Sequence, residues 1–218
     1  MRTGLKAIQV LLVLSSFLPL SASARDSCRL TREVNGFDAP KQSRLSSLRD
    51  FARQNRLSFG IESVSSLDKQ TSISAPSGTV LTIVKAIVGP ISKTIECFEG
   101  VILVRDQNAP GPKWLNTRVP EFRLNRSRLG LANAALWMRV EVVLNPAQTG
   151  FAGDILGDLG EYVGPFDAKR ATVRALLCHL AVSSPGTIWI SEDIQPFGGT
   201  AWTNRLWTLV PYEATNRQ

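Results

Sequence analysis

Histidine is nearly absent from this chain: one residue in 218, His179, beside three cysteines, two methionines and two tyrosines. A base–nucleophile relay needs a proton acceptor within reach of a nucleophile, with a third group to orient it. Nothing in the sequence supplies that set, because His179 has no nucleophile at a helical contact spacing and no Gly-x-Ser-x-Gly elbow occurs. Cys28, Cys97 and Cys178 form no Cys-x-x-Cys pair, which excludes the usual spacing for thiol exchange and for zinc. No Gly-x-Gly-x-x-Gly or Gly-Lys-Ser/Thr phosphate loop is present. Beyond the first two dozen residues no apolar run approaches the roughly 20 residues that a membrane-spanning helix requires. The sequence therefore assigns no catalytic, cofactor-binding or metal-ligating residue.

What is present begins with a tripartite leader. Arg2 and Lys6 precede an apolar run from Ala7 to Leu20, and Ala22-Ser23-Ala24 follows, the layout of a secretory signal peptide with cleavage expected after Ala24. Cys28 stands too far past that site to accept a lipid. The reading is of an exported chain, periplasmic or secreted, with no transmembrane span once the leader is removed. Two of the +7 formal charges belong to the leader, and the remaining excess is scattered arginine with no recognition motif, so nucleic acid is not an expected partner. In an oxidising compartment the cysteines give either one disulfide and an odd thiol or three buried thiols.

Residues 25–36 read as a leader segment with at most an edge strand. From Phe37 to Asp106 the pattern is richer. Phe37-Asp38-Ala39-Pro40 opens a strand, and Leu45, Leu48, Phe51 and Ala52 then fall on one face of a helix that Ser43 can cap. Leu57, Phe59 and Ile61 alternate with Ser58, Gly60 and Glu62, a strand covered on one side. Thr71–Ala75 reads as a further short strand. Thr79 caps a second helix carrying Val80, Ile83, Val84 and Ile87, which Gly89-Pro90 ends. Ile91–Phe98 and Val101–Arg105 make a hairpin about Glu99-Gly100. In this order and spacing, 37–106 resembles the short N-terminal domain shared by secretins and TonB-dependent receptors. The resemblance implies a small two-layer module with two helices on a short mixed sheet, periplasmic exposure, and a role in binding partner proteins rather than in catalysis.

After a linker at 107–113 the pattern partly returns over 114–200. Leu129, Ala132, Ala135 and Leu136 repeat the Leu45 spacing 84 positions on, Val173 to Leu180 repeats the Val80 helix 93 on, and Ile188-Trp189-Ile190 stands 86 past Ile102-Leu103-Val104. Phe122 and Leu124 supply an opening strand, and Val140, Val142 and Leu144 alternate as a following one. This reads as a degenerate second copy, leaving 201–218 as a C-terminal strand or tail. The expected fold is α+β, two such modules. The glycine-rich stretch 149–161, with Asp154, Asp158 and Glu161, reads as an extended loop, a calcium or carboxylate site being the lesser alternative. The functional expectation is an exported, non-enzymatic interaction module with an envelope protein as partner. A small-ligand binder and a carboxylate-dependent hydrolase are the rival readings.

Overall fold

The computed structural model describes residues 28–62, 67–89, 93–107, 112–144, 160–194 and 204–210. The expected leader 1–24, Asp154 and Asp158, and most of the tail lie outside these. The class is α+β. In chain order the elements are β1 (Glu33–Val34), β2 (Phe37–Ser43), α1 (Arg44–Asn55), β3 (Phe59–Glu62), β4 (Gln70–Ala75), β5 (Gly78–Thr79), α2 (Val80–Val88), β6 (Lys93–Phe98) and β7 (Val101–Asp106). A 3-10 turn at Lys113–Asn116 leads into β8 (Arg118–Leu124), β9 (Ser127–Arg128), α3 (Leu129–Leu144), β10 (Tyr162–Val163), β11 (Phe166–Thr172), α4 (Val173–Ser183), β12 (Ile188–Ile194) and β13 (Asn204–Val210).

Local chemistry places the helix ends. Ser43 Oγ accepts the Ser46 N–H, Thr79 Oγ1 that of Thr82 and Thr172 Oγ1 that of Ala175, each satisfying a first-turn donor. At the other end of α2 the Arg44 guanidinium donates to Ile87 O at 2.6 Å and lies against Gly89, whose φ of 78° favours glycine. The β6–β7 turn has positive φ at both Glu99 and Gly100, as the twist of a two-residue hairpin demands.

One five-stranded sheet, ordered β13-β12-β3-β7-β6, runs through the centre. Strands β3, β7 and β12 are mutually parallel, and antiparallel strands close both edges. Side-chain alternation then divides the core in two. Phe59, Ile61, Ile102, Val104 and Ile188 face α1, α2 and the β2–β4 pair, whereas Val101, Leu103 and Trp189 face α3, α4 and the β8–β11 pair. Each helix pair thus lies between the central sheet and a two-stranded one.

The sequence reading had β3 covered on one side; every residue of it is buried. The second cover comes from α4 and from Trp189, whose ring sits over Gly60, its partner in register on β12. A Cβ at Gly60 would lie inside the contact envelope of the Trp189 ring and the Leu103 methyl group. Gly60→Ala is accordingly expected to cost about 1–3 kcal/mol by overpacking. Chemical denaturation would check this, and a loss under about 0.5 kcal/mol would mean the ring has room to move.

The strand expected at Val140, Val142 and Leu144 is instead the last part of α3. Leu129, Ala132, Leu136 and Val140 are buried at the spacing of a helix, and Val142 is exposed, so packing along a helical face overrides a β-branched alternation. β-branched α2 is likewise helical, held by burial of Val80, Ile83, Val84, Ile87 and Val88.

The same hydrogen-bonding pattern occurs twice, with its halves exchanged in chain order. β1–β2–α1–β3 is matched by β10–β11–α4–β12, Phe37 by Phe166, Ser43 by Thr172 and Phe59 by Ile188, each 129 positions on. β4–β5–α2 is matched by β8–β9–α3, Ala75 by Leu124 and Val80 by Leu129, each 49 positions on. The pairings agree: β1–β5 with β10–β9 and β2–β4 with β11–β8. So do the links at helix starts, Val80 N–H to Arg32 O with Leu129 N–H to Glu161 O, and Arg44 N–H to Lys69 O with Val173 N–H to Thr117 O. By hydrogen bonding α3 answers to α2 and α4 to α1, not the reverse as the sequence offsets set them. Equivalent residues of β3 and β12 stand side by side in parallel register, with their helices on opposite faces of the sheet.

Candidate functional site

The polar and nucleophilic groups seen in the sequence are placed apart. His179 lies on α4 with its ring stacked on Phe166, centroids 3.9 Å apart. Burial lowers its pKa from the ordinary histidine range, opposed in part by Glu99. Cys178 faces the other way, fully buried in the second core, where loss of hydration pushes the thiol far up, against a smaller pull from the Trp189 side chain. A thiol so held is neutral and inert. Cys28 and Cys97 are joined as a disulfide. Among the described residues no three His, Cys, Asp or Glu side chains gather as metal ligands, and no helix is long and apolar enough to cross a membrane.

Two concavities lined by described residues bear on binding. One is a cleft of about 360 Å³ at the amino ends of the parallel strands, where the turns after α1 and α4 meet the β6–β7 turn. Leu57 and Ile102 line it, with Arg29 and Arg56 exposed at its rim. Both arginines have positive φ, and Arg56 sits in the left-handed position that ends α1.

The other is a groove of about 340 Å³ between β2 and α1. One wall is Phe37-Asp38-Ala39-Pro40 of β2, and the other is Asp50, Arg53 and Gln54 of α1, spaced so as to share one helix face. Phe37 and Ala39 are anchored in the first core, Phe37 packing edge-on to Phe51 at 5.4 Å. Gln42 Nε2 donates to Asp50 Oδ2 at 2.9 Å and holds that carboxylate in place. Asp38 accepts from Ser74 Oγ at 2.7 Å. Since β2 pairs only with β4 among the described strands, its far edge borders the groove. Pro40 and the irregular register between Ala39 and Gln42 interrupt that edge, so a bound chain would meet side chains as much as backbone.

No protein-family model, curated protein or solved structure matches this chain. The assignment of a role rests on the geometry alone.

Sequence reasoning named Phe37-Asp38-Ala39-Pro40 as opening a strand and Leu45, Leu48, Phe51 and Ala52 as one face of the helix after it, without joining the two into a groove. Two residues escaped it. Glu62 was read as facing solvent, yet it is fully buried, with Arg174 of α4 donating from Nε to Oε1 at 2.5 Å and from Nη2 to Oε2 at 3.1 Å. Arg174 Nη1 also bonds Asn116 Oδ1. The only hint in the sequence was a charge on a strand otherwise made of Phe, Gly and Ile.

Proposed function

We propose that this protein is an exported, non-enzymatic interaction module of the cell envelope, and that an extended segment of a partner protein lies in the β2–α1 groove. The observation that carries the reading is the groove's construction: an edge strand on one wall and a charged helix face on the other, the arrangement by which small α/β domains take up extended peptides. Asp50 suits a basic side chain of the partner and Arg53 an acidic one. The inert Cys178 and the stacked His179 support a binding role over a catalytic one. The rim arginines Arg29 and Arg56 favour a second reading, a binder of a small anionic ligand in the cleft beside the disulfide.

A photo-crosslinking residue at Gln54, introduced in cells, is expected to trap one envelope protein through an extended segment. A synthetic peptide of that segment should bind the purified protein and lose at least tenfold in affinity to Arg53→Glu, with the melting temperature unchanged. Capture of nothing but the protein itself, or a peptide indifferent to Arg53→Glu, would remove the groove from the proposal. Stabilisation of the fold by small anions, abolished by Arg56→Glu, would then favour the second reading.

A further inference from the structure

Residues 28–34 form a strap over the first helix layer. Arg32 O and Leu30 O accept the Val80 and Leu81 N–H groups, first-turn donors of α2, at 2.9 and 3.0 Å. Arg32 Nη2 donates to Asn55 O, and β1 pairs with β5. Apolar packing holds the strap only lightly: Arg29, Thr31 and Glu33 are exposed, Leu30 and Val34 are half-buried, and Cys28 is its one buried residue.

In the second arrangement residues 160–163 do the same work, Glu161 O accepting the Leu129 N–H. There α3 comes before the strap in the chain, and peptide bonds tie the two together. In the first arrangement α2 comes after its strap. The tie back runs through Cys97 of β6, the strand that follows α2, and the disulfide to Cys28. What one arrangement holds by backbone, the other holds by a bond that thiols can open.

The bridge also stands where a thiol can reach it. Cys28 lines the cleft of about 360 Å³, and the charged residues that line it with Cys28 are Arg29 and Arg56. The attacking species in disulfide exchange is a thiolate anion, and two guanidinium groups at the rim draw anions toward the sulfur. Cys178, enclosed in the second core, has the opposite surroundings.

We propose that Cys28–Cys97 is an exchange site for an anionic dithiol, and that its reduction unlatches the strap. One thiolate of the dithiol attacks Cys28 Sγ from the cleft and forms a mixed disulfide. The Cys28–Cys97 bond breaks, and Cys97 Sγ leaves with the electron pair and takes up a proton. The second thiolate then displaces Cys28 Sγ, which is protonated in turn. The dithiol ends as a disulfide, oxidised by two electrons, and the protein holds two thiols. Few buried contacts are then left to offset the entropy of ordering the strap, so it detaches while the rest of the fold persists. The site is separate from the β2–α1 groove and does not depend on the function proposed for that groove.

Reducing the purified, folded protein with dihydrolipoate and with its uncharged amide separates charge from thiol chemistry. The rate should rise in proportion to dithiol concentration, the carboxylate should act faster than the amide by a factor of about three, and Arg56→Glu should erase that difference. Amide exchange followed by NMR reads the strap. In the reduced protein Val80 and Leu81 should lose about tenfold in protection, while Leu129, the counterpart of Val80, and Ile61 in the central sheet keep theirs. A rate independent of dithiol concentration, which marks access only through unfolding, overturns the exchange site, as does equal speed of the two dithiols. Val80 and Leu81 protected equally in both forms, or a loss shared by Ile61, overturns the strap.

Discussion

Replacing Arg174 with methionine is expected to lower the stability of the fold by about 3–5 kcal/mol, because it strands the fully buried Glu62 carboxylate without its partner. The two side chains come from opposite halves of the chain, 112 residues apart, and meet where α4 crosses β3. Removing both charges together, Glu62→Met with Arg174→Met, should recover most of the loss, since a buried ion pair is often no more stabilising than apolar groups of similar size. Urea denaturation of the two variants and the parent measures both effects. A single variant within about 1 kcal/mol of the parent would show that water reaches the carboxylate. The same pair has a bearing on specificity. Sliding of the second helix layer over the sheet would part Glu62 from the Arg174 guanidinium, so the interaction favours the observed placement of α4.

Opening the Cys28–Cys97 disulfide should be comparably costly. The bridge spans a sequence separation of 69 residues, for which the loss of loop-closure entropy in the unfolded chain corresponds to about 4 kcal/mol. It ties the segment before β1 to the edge strand β6, and Cys28 is itself buried in the first core. Cys28→Ser combined with Cys97→Ser, or reduction of the native protein, is expected to lower the melting temperature by roughly 10 °C. Cys178 should stay unreactive toward thiol reagents until the protein unfolds, because burial keeps it neutral and inaccessible. A shift of only a degree or two on reduction would show that the unfolded chain is already constrained over this loop.

The elements most legible in the sequence were those whose instructions are local. Ser43, Thr79 and Thr172 stand one or two residues before an apolar helical repeat, and each caps the helix that the spacing announces. The Glu99-Gly100 turn has positive φ at both residues, a conformation that Gly100 adopts freely. The groove was half legible: its residues fell on the expected strand and helix, but their convergence depends on how α1 packs against β2. Misreading began where a residue's environment is supplied from far away. Ser58, Gly60 and Glu62 look like the wet side of a strand until α4 is laid across them. Val140 and Val142 look like a strand until the core below α3 is seen to take Leu136 and Val140 at helical spacing.

The internal repetition shows the same division. Apolar spacing within a helix cannot say which helix of another segment is its counterpart, because any two amphipathic helices share that spacing. Hydrogen-bonded register can, and it matches β10–β11–α4–β12 to β1–β2–α1–β3. By itself, then, the sequence determined the α+β class, most strand and helix positions, and the caps and turns. Those follow from short-range sterics and side-chain period, which act within a few residues. The tertiary structure alone decided which cysteines pair, that one sheet serves both helix layers, that Trp189 lies over Gly60, and that Glu62 is buried against Arg174. These depend on contacts between residues tens to more than a hundred positions apart, whose partners exist only once the chain has closed on itself.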